Sequence, residues 1–307
     1  MTAQNQTIHL AIAFDQNFID PVYVLLSSIL TANESRILLI HAIATGVSME
    51  VKQAISSYVK AKNAEIIFYD FNSTAVTNFP ANLSHVTLAA YYRLFIPLLI
   101  EENIETLLYI DTDVVVLADL YDLYTTNLGS FPLGAVPDNA VPTRSELGIP
   151  GIGNYFNSGV LLISVPEWKK QRVMERAIEA LSAQPELMRF VDQDALNAVL
   201  VNNWLKLDMK YNVTLADVPF IPNKQLPNYL RNKVIIHFTT TDKPWKKICT
   251  NRFKFVYHNA LQKLPHLSQK KQGFAFTRRN ITTYVKLKLT DIYFDFPLLM
   301  KIRRSIG

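Results

Sequence analysis

Short apolar stretches alternate with amphipathic ones along the first third of the chain. Residues 8–14, 37–44 and 66–69 are mainly apolar, which predicts three buried strands. Between these strands, residues 22–30 and 49–61 carry helical patterns. This alternation predicts a mainly parallel sheet built from right-handed strand–helix–strand units.

The rest of the chain continues this pattern less regularly. A helical pattern at residues 89–99, interrupted near Pro97, leads into the apolar run 107–116. Prolines and glycines cluster between residues 131 and 153, which is typical of a long loop over the carboxyl edge of a sheet. The later elements that we predict are strands at 160–165 and 234–238 and helices at 168–181, 192–201 and 253–264, the helix at 192–201 being capped by Asp192. The expected fold class is α/β.

Two carboxylates, Asp111 and Asp113, interrupt the apolar run 107–116 with one residue between them. The run predicts a buried strand that ends near them, and open α/β sheets bind ligands at the carboxyl ends of their strands. Ionised carboxylates are costly to bury unless they are paired or bind a metal. Alternate residues of an extended chain point to the same side, so both side chains could bind one hard cation. For Asp-Thr-Asp alone, a polar turn that closes the strand is an equally good interpretation.

Composition narrows the class of protein. The chain has 307 residues, of which 49% are hydrophobic and 19% charged, as expected for a packed globular protein. The single cysteine, Cys249, excludes an internal disulfide framework and suits a reducing compartment. No lysine or arginine precedes Arg36, and no apolar run approaches the ~18 residues of a membrane span, so we expect a cytoplasmic protein without a secretory signal.

The net charge of +5 is concentrated near the end of the sequence. Residues 269–307 carry nine basic residues against Asp291 and Asp295, a net charge of +7, which leaves −2 for the preceding part. Apolar and aromatic residues lie among these charges, a combination that suits adsorption to an anionic membrane surface. A segment folded back on the body is the alternative. Nucleic-acid binding is not expected, because no recognised module is present.

Four short motifs follow the predicted elements in order. They are Ile-Asp-Thr-Asp at 110–113, Tyr-Phe-Asn-Ser-Gly at 155–159, Asp-Gln-Asp-Ala-Leu-Asn at 192–197, and His237 followed by Lys243, Pro244 and Trp245. Over residues 7–250 the chain resembles glycosyltransferase family 8, retaining enzymes that include bacterial lipopolysaccharide galactosyl- and glucosyltransferases. The resemblance implies a GT-A fold, a Rossmann-like mixed and mainly parallel sheet flanked by helices. No glycine-rich nucleotide-binding fingerprint is present.

The resemblance implies a metal site formed by Asp111, Asp113 and His237. Two carboxylates and one imidazole favour Mn²⁺ or Mg²⁺ over zinc, and such an ion would neutralise charge that develops on a departing diphosphate. Taken alone, His237 is more often a core histidine at a strand end. Lys243 matches a phosphate-binding position, although a lone lysine is more often a solvated surface residue.

Further positions match the parts of the family site that hold the UDP-sugar donor. The nucleotide would contact Ala13, Asp15, Asn17, Arg93, Thr112 and Thr240. Asp15 and Asn17 could equally be turn residues, and Arg93, between tyrosines and leucine, could stack on a surface. At the position of Thr240 the family often has a glycine whose backbone approaches the phosphate, so this departure bears on the local backbone geometry.

The donor sugar is expected to lie among polar side chains that are flanked by apolar residues. The matching positions are Asp138, Asn157, Asp192 and Gln193, together with Arg93. The resemblance implies transfer on one face of the sugar with retention, Gln193 stabilising oxocarbenium character and Asp192 positioning the sugar. No nucleophile is assigned. Helix capping by Asp192 and a turn at Asn157 are the alternatives without chemistry.

These expectations combine into one functional hypothesis. Residues 1–267 would form the catalytic domain and residues 268–307 a basic, aromatic segment that associates with the cytoplasmic membrane face. The donor would be UDP-galactose or UDP-glucose. The acceptor would be a lipid-linked cell-envelope glycan such as lipopolysaccharide or lipooligosaccharide core, with glycoprotein and teichoic-type glycans open. A phosphohydrolase of the haloacid dehalogenase type is disfavoured because Val115 stands where that family has threonine. A nucleotide-sugar-binding protein without turnover is the other alternative.

Overall fold

The structure, a computed structural model, describes residues 6–70, 91–100, 103–241, 243–264, 267 and 277–296. Its strands are β1 Thr7–Asp15, β2 Ile37–Thr45, β3 Glu65–Tyr69, β4 Thr106–Ile110, β5 Val114–Val116, β6 Leu133–Pro137, β7 Phe156–Ser164, β8 Leu205–Lys206 and β9 Ile235–His237. Its α-helices are α1 Ile19–Ala32, α2 Met49–Lys60, α3 Tyr92–Leu99, α4 Tyr121–Tyr124, α5 Val165–Lys170, α6 Val173–Ala183, α7 Asp192–Val199, α8 Leu226–Tyr229, α9 Lys254–Leu261 and α10 Arg278–Asp295.

The central sheet has seven strands in the order β3-β2-β1-β4-β7-β6-β8. Strands β3, β2, β1 and β4 run parallel to one another, and β6 runs parallel to β8. Strand β7 runs antiparallel to both β4 and β6. Strands β5 and β9 form a separate antiparallel pair. The expected mixed, mainly parallel sheet is therefore confirmed.

Helices cover both faces of this sheet. Along β1, Leu10 and Ile12 belong to a core shared with α1, whereas Ala11 and Ala13 belong to a second core shared with α3 and α6. All four side chains are buried. A strand that is covered on both faces has no polar side, which explains why its sequence is a continuous apolar run and not an alternating one.

Four of these sequence predictions are wrong. The run 107–116 supplies two strands, because β4 ends at Ile110 and residues 114–116 form β5 in the second sheet. The predicted loop 131–153 contains β6, and the predicted helix 168–181 is divided between α5 and α6 at Arg172, which has a φ of +51°. Asp192 is the first residue of α7, and Val191 precedes it as the N-cap.

Some predicted segments fall outside the described residues. They are residues 89 and 90 of the predicted helix 89–99, and residues 268–276 and 297–307 of the basic segment. The rest of the helix is present as α3, with Pro97 inside it. Among the described residues, none of the helices combines the length and the apolar character that crossing a membrane requires.

Helix α10 packs against the body of the protein with one face. Leu287 is buried, and the guanidinium of Arg252 lies 3.6 Å from the centre of the Phe294 ring. At the end of the helix, Asn223 Nδ2 donates a hydrogen bond of 2.8 Å to Asp295 Oδ1. The described part of the basic segment is therefore a helix that is docked on the body and has one side facing solvent.

A histidine pair lies on neighbouring strands of the sheet. His41 Nε2 is 3.0 Å from His9 Nδ1, and His41 Nδ1 is 2.8 Å from the Tyr69 hydroxyl. Neutral His41 donates through one ring nitrogen and accepts through the other, which satisfies both contacts. Burial, with a contribution from His9, lowers the pKa of His41 from 6.5 to about 4. The folded protein therefore keeps His41 neutral at a pH where the unfolded chain binds a proton.

This pair predicts a loss of stability on mild acidification. Between pH 6.5 and pH 4 only the unfolded state protonates His41, so stability falls as the pH decreases through this window. From about pH 7.5 to about pH 5, His41 should account for a loss of about 2 kcal/mol in the free energy of unfolding. In His41→Gln, whose amide can still donate and accept, urea titrations at both pH values should show a correspondingly smaller loss. An equal loss in the wild type and the variant would contradict the assignment.

Candidate active site

Strand pairing brings the two ends of the candidate metal site together. Asp111 directly follows β4, and its backbone N–H donates a hydrogen bond of 2.8 Å to the carbonyl oxygen of Gly159 in β7. In the second sheet, Val114 lies opposite His237, and the Phe238 N–H donates to the Asp113 carbonyl oxygen at 2.9 Å. The short β5–β9 pair thus places a histidine from far along the sequence beside the two aspartates.

Asp111, Asp113 and His237 form a compact group of three potential ligands. Each offers one ligand atom, and these atoms all lie within 4.8 Å of one another. His237 Nε2 is 3.2 Å from Asp113 Oδ1 and 3.9 Å from Asp111 Oδ2. The chain does not reach this arrangement by the expected extended conformation, because it turns at Thr112 and Asp113. Two carboxylate oxygens and one imidazole nitrogen fit a hard divalent cation such as Mn²⁺ or Mg²⁺.

The orientation of the His237 ring depends on an asparagine that sequence reasoning missed. His237 Nδ1 is 3.0 Å from Asn212 Oδ1, and Asn212 Nδ2 donates a hydrogen bond of 2.9 Å to Asn157 Oδ1. An amide oxygen only accepts, so Nδ1 carries the proton and the lone pair of Nε2 faces the carboxylates. Asn212 is buried and lies between predicted elements, where no motif singles it out.

Gly159 allows the close approach of the ligands. A Cβ atom at this position would lie 2.1 Å from His237 Cε1 and 2.8 Å from Asp111 Oδ2. Both distances are far below van der Waals contact, so any side chain would displace the imidazole or the carboxylate. The glycine at the end of the 155–159 motif is therefore required by space and not by backbone conformation.

Arg93 connects the aspartates of two different motifs. Its guanidinium is buried and lies 3.1 Å from Asp111 Oδ1 through Nη2 and 2.8 Å from Asp192 Oδ2 through Nε. Nη1 donates a hydrogen bond of 2.6 Å to the Ser158 carbonyl oxygen, and the Tyr109 hydroxyl donates one of 2.8 Å to Asp111 Oδ1. Arg93 is therefore held at the centre of the site and does not stack on a surface.

The charges in this group shift each other's protonation. Burial raises the pKa of Asp192 to about 6, with Arg93 opposing the shift and the charge of Asp111 adding to it. Burial alone would lower the pKa of Arg93, but Asp111 and Asp192 raise it above its ordinary value. Burial also raises the pKa of the Tyr109 hydroxyl. The guanidinium therefore stays charged and Tyr109 stays a hydrogen-bond donor.

Lys243 contacts the other carboxylate. Its ammonium forms an ion pair with Asp113 Oδ2 and donates a hydrogen bond of 2.8 Å to the Phe238 carbonyl oxygen. Burial would raise the pKa of Asp113, but Lys243 and His237 hold it well below its usual value. Asp113 thus remains ionised, with one oxygen facing His237 and the other facing Lys243.

A second polar network surrounds Gln193. Its Nε2 donates a hydrogen bond of 3.1 Å to Asp138 Oδ2, and its Oε1 accepts one of 3.0 Å from the Ser158 N–H. Asn157 Nδ2 donates to the same Asp138 oxygen at 3.1 Å. Ser158 also binds Arg93, so this network adjoins the metal group. The structure thus brings the predicted sugar-site residues to one place beside the predicted metal ligands.

The first-strand residues lie at the same edge of the sheet. Strands β1 and β4 are parallel and pair Ala11 with Tyr109, which places Ala13 level with Asp111. Asp15 ends β1 and accepts a hydrogen bond of 2.7 Å from the Asn17 N–H. The structure therefore shows Asp15 as the cap of a short 3₁₀ helix at residues 16–18, at the edge of the sheet where the metal group lies.

Two β-branched residues beside the site have a left-handed backbone. Thr240 has a φ of +75°, and Val191, directly before Asp192, has a φ of +51°. Such φ values are rare for β-branched side chains and indicate backbone strain. Thr240 thus has a backbone conformation that glycine would adopt without strain. The threonine therefore does not force the backbone here away from the conformation that a glycine would allow.

Sequence reasoning also missed the residues that hold the start of α7. Arg144 forms an ion pair with the buried Asp194, and the Tyr155 hydroxyl donates a hydrogen bond of 2.6 Å to Asp194 Oδ1. Gln193 Nε2 donates in turn to the Tyr155 oxygen at 3.2 Å. Asp194 and Tyr155 belong to the motifs at 192–197 and 155–159, so the sequence could have indicated that they lie near the site. Arg144 lies in the region that was expected to be a loop, where nothing in the sequence singles it out.

Comparisons with known proteins agree with this geometry. A sequence model described as "Glycosyl transferase family 8" matches residues 9–249. General stress protein A of Bacillus subtilis is 28% identical over 266 residues, which cover 83% of this chain and 93% of that protein. The lipopolysaccharide 1,2-glucosyltransferase of Escherichia coli K12 is 27% identical over 270 residues, which cover 85% of this chain and 79% of that protein.

A solved structure shares the fold. The galactosyltransferase LgtC, in complex with donor and acceptor sugar analogs, matches with a TM-score of 0.73 and 25% identity. The match covers 85% of this chain and 98% of that one. It confirms the expected GT-A type of α/β fold.

The close contact at Gly159 predicts a variant that loses the cation site selectively. Gly159→Ala should weaken Mn²⁺ binding by about tenfold or more, because the added methyl group displaces His237 or Asp111. Isothermal titration with MnCl₂ measures the affinity. Gly148→Ala is the matched control, since it strains a left-handed glycine (φ +76°) whose Cβ would meet nothing within 4 Å. Equal Mn²⁺ affinity in Gly159→Ala and the wild type would show that these side chains do not form the site.

Proposed function

The chain belongs to glycosyltransferase family 8, and on that premise we propose that it transfers a hexose from a UDP-sugar to a cell-envelope glycan with retention at the anomeric carbon. The observation that carries the proposal is the group of Asp111, Asp113 and His237 beside Arg93. These residues offer a cation site and a permanent positive charge at one place, as a diphosphate donor requires. Ala13, Asp15 and Asn17 would receive the uridine at the adjacent strand end.

The proposed role of the positive side chains is to bind the diphosphate and to stabilise charge as it departs. A divalent cation held by the three ligands would supply Lewis-acid stabilisation of the leaving UDP. Lys243, beside Asp113, would add a second positive charge on the phosphate, and the strained backbone at Thr240 would bring an N–H close to it. Asp113 keeps its negative charge under the influence of Lys243 and His237, which suits it to hold a cation over a wide pH range.

The sugar would lie against the polar network of Asp138, Asn157 and Gln193. The Gln193 amide is fixed by Asp138 and Ser158, and Ser158 also accepts a hydrogen bond from Arg93, so the amide is held in one orientation next to the metal group. In our proposal Gln193 stabilises the oxocarbenium character and Asp192 positions the ring through its hydroxyls. The leaving phosphate accepts the proton of the acceptor hydroxyl, and the new bond forms on the face from which UDP leaves. No protein nucleophile is required.

The donor test compares UDP release from UDP-galactose, UDP-glucose and UDP-N-acetylglucosamine, with and without Mn²⁺. We expect release from one of the two hexose donors that depends on the metal and falls by about a hundredfold or more in Asp113→Asn. Asp119→Asn is the matched control, because Asp119 pairs with Arg36 and the Tyr121 N–H and contacts none of the candidate site residues. Release at the wild-type rate in Asp113→Asn would refute the role of the cation site. Donor binding without release, with every acceptor, would favour a binding protein without turnover.

We further propose that the acceptor is lipid-linked and that α10 holds the protein on the cytoplasmic face of an anionic membrane. Ile281, Val285, Leu289 and Ile292 follow each other at helical spacing on the side of α10 that faces solvent, and each is 46–60% exposed. We call these four residues the outer stripe. Lys286 and Lys288 lie on either side of it, and Phe296 follows the helix with 58% exposure. An apolar stripe between lysines matches the boundary between acyl chains and anionic headgroups.

Co-sedimentation with vesicles tests this attachment. The wild-type protein should bind vesicles of equimolar phosphatidylcholine and phosphatidylglycerol. The double variant Leu289→Ser/Ile292→Ser should bind at least about tenfold less, because it loses two aliphatic side chains that would insert into the membrane. The control is Ile37→Ser/Met49→Ser, which removes two exposed apolar residues elsewhere on the surface. Donor turnover should remain in both variants. Equal vesicle binding by all three proteins would exclude the outer stripe.

A further inference from the structure

A cleft with a strong positive charge lies between α9, α10 and the segment 244–249. It has a volume of about 190 Å³, and four lysines line it: Lys246, Lys247, Lys254 and Lys288. Asp291 is the carboxylate in its lining. A concave surface on which positive charge predominates focuses the electrostatic potential, which attracts small anions. Neither the proposed donor site nor the outer stripe uses this cleft.

The contacts inside the cleft show that its negative charge is already neutralised. The Lys254 ammonium lies 3.4 Å from both oxygens of Asp291 and donates a hydrogen bond of 3.2 Å to the Cys249 carbonyl oxygen. Lys254 and Asp291 thus form a fixed pair at the wall between α9 and α10. Lys246, Lys247 and Lys288 also line the cleft; the Lys246 ammonium donates a hydrogen bond of 2.8 Å to the Thr241 carbonyl oxygen, and the Lys288 ammonium lies 5.6 Å from the centre of the Tyr284 ring. A phosphate group that enters this cleft would meet several positive charges at once.

Size and chemistry together define the class of ligand. A volume of 190 Å³ is below the roughly 300–1,000 Å³ of pockets for drug-sized molecules, so the ligand group is small. Lysine ammonium groups are compact point charges that suit phosphate, whose oxygens accept several hydrogen bonds. Tyr284 and Leu287 form an apolar wall, against which the carbon skeleton of a phosphate ester can pack.

The position of the cleft relates it to the other two surfaces. Pro244, at one wall, directly follows Lys243, whose ammonium pairs with Asp113 in the cation site. Lys288 lies at the other wall and is also one of the two lysines beside the outer stripe. The cleft therefore lies next in sequence to Lys243 at one wall and carries Lys288 of α10 at the other.

We propose that this cleft is a phosphate-binding site that holds a phosphate group on the acceptor side of the reaction. The phosphate is either a lipid headgroup or a phosphate ester carried by the acceptor glycan, and both offer the same chemistry to the lysines. Only the assignment to the acceptor side rests on the proposed function. The binding of phosphate itself follows from the cleft alone.

Titration with inorganic pyrophosphate, on the full chain and without divalent cations, tests the site. The wild type should bind, and Lys247→Gln and Lys288→Gln should each weaken binding by about tenfold, because each removes a charged hydrogen-bond donor. Lys286→Gln is the matched control, since Lys286 lies on the same helix and outside the cleft lining. It should bind as the wild type does. Absence of binding in the wild type, or equal weakening by Lys286→Gln, would overturn the proposal.

Competition then identifies the source of the phosphate. Vesicles of phosphatidylcholine with phosphatidic acid should displace pyrophosphate if the cleft takes a headgroup, and a soluble sugar phosphate such as glucose 6-phosphate should displace it if the cleft takes a glycan phosphate. If neither competes, the assignment to the acceptor side is wrong. Pyrophosphate bound at the proposed donor site would not respond to Lys247→Gln or Lys288→Gln, so a failure of the proposed catalytic function remains distinguishable from a failure of the cleft.

Discussion

The candidate site depends on the close approach of two strands that belong to different sheets. Strand β7 passes Asp111 with only a glycine between them, and β9 brings His237 against the same glycine. Because Gly159 leaves no room for a side chain, the carboxylates and the imidazole approach each other closely enough to share one ion. The surrounding structure supports this contact: the β5–β9 pair fixes the histidine backbone, and Asn212 fixes its ring.

Buried charge is the second constraint on this region. Arg93, Lys243 and the aspartates lie where water is largely excluded, and each would be costly without its partners. Arg93 offsets Asp111 and Asp192, while Lys243 offsets Asp113, so the charges are arranged as neighbouring pairs. The strained backbone at Val191 and Thr240 lies beside the same groups. Such strain persists only when surrounding contacts enforce it, which is typical of a preorganised site.

Helix α10 connects this centre to a surface. On one side of the helix, Leu287 is buried, Asp291 pairs with Lys254 of α9, and Phe294 packs against Phe220. The opposite side presents the outer stripe to solvent. Part of the positive charge near the end of the sequence therefore lies at a defined place: Lys288 of α10 lies beside the outer stripe and also lines the cleft.

The sequence by itself determined the fold class, most strands of the central sheet and the motifs that meet at the site, because these depend on local apolar patterns and on short spacings of residue types. It did not determine that residues 107–116 divide between two sheets, that β6 lies in the Pro- and Gly-rich region, or that Asn212 and Arg144 support the site. Those features depend on contacts between residues distant in the chain. Only the tertiary structure decides which buried polar groups become partners, since each must find its donor or acceptor in the packed protein.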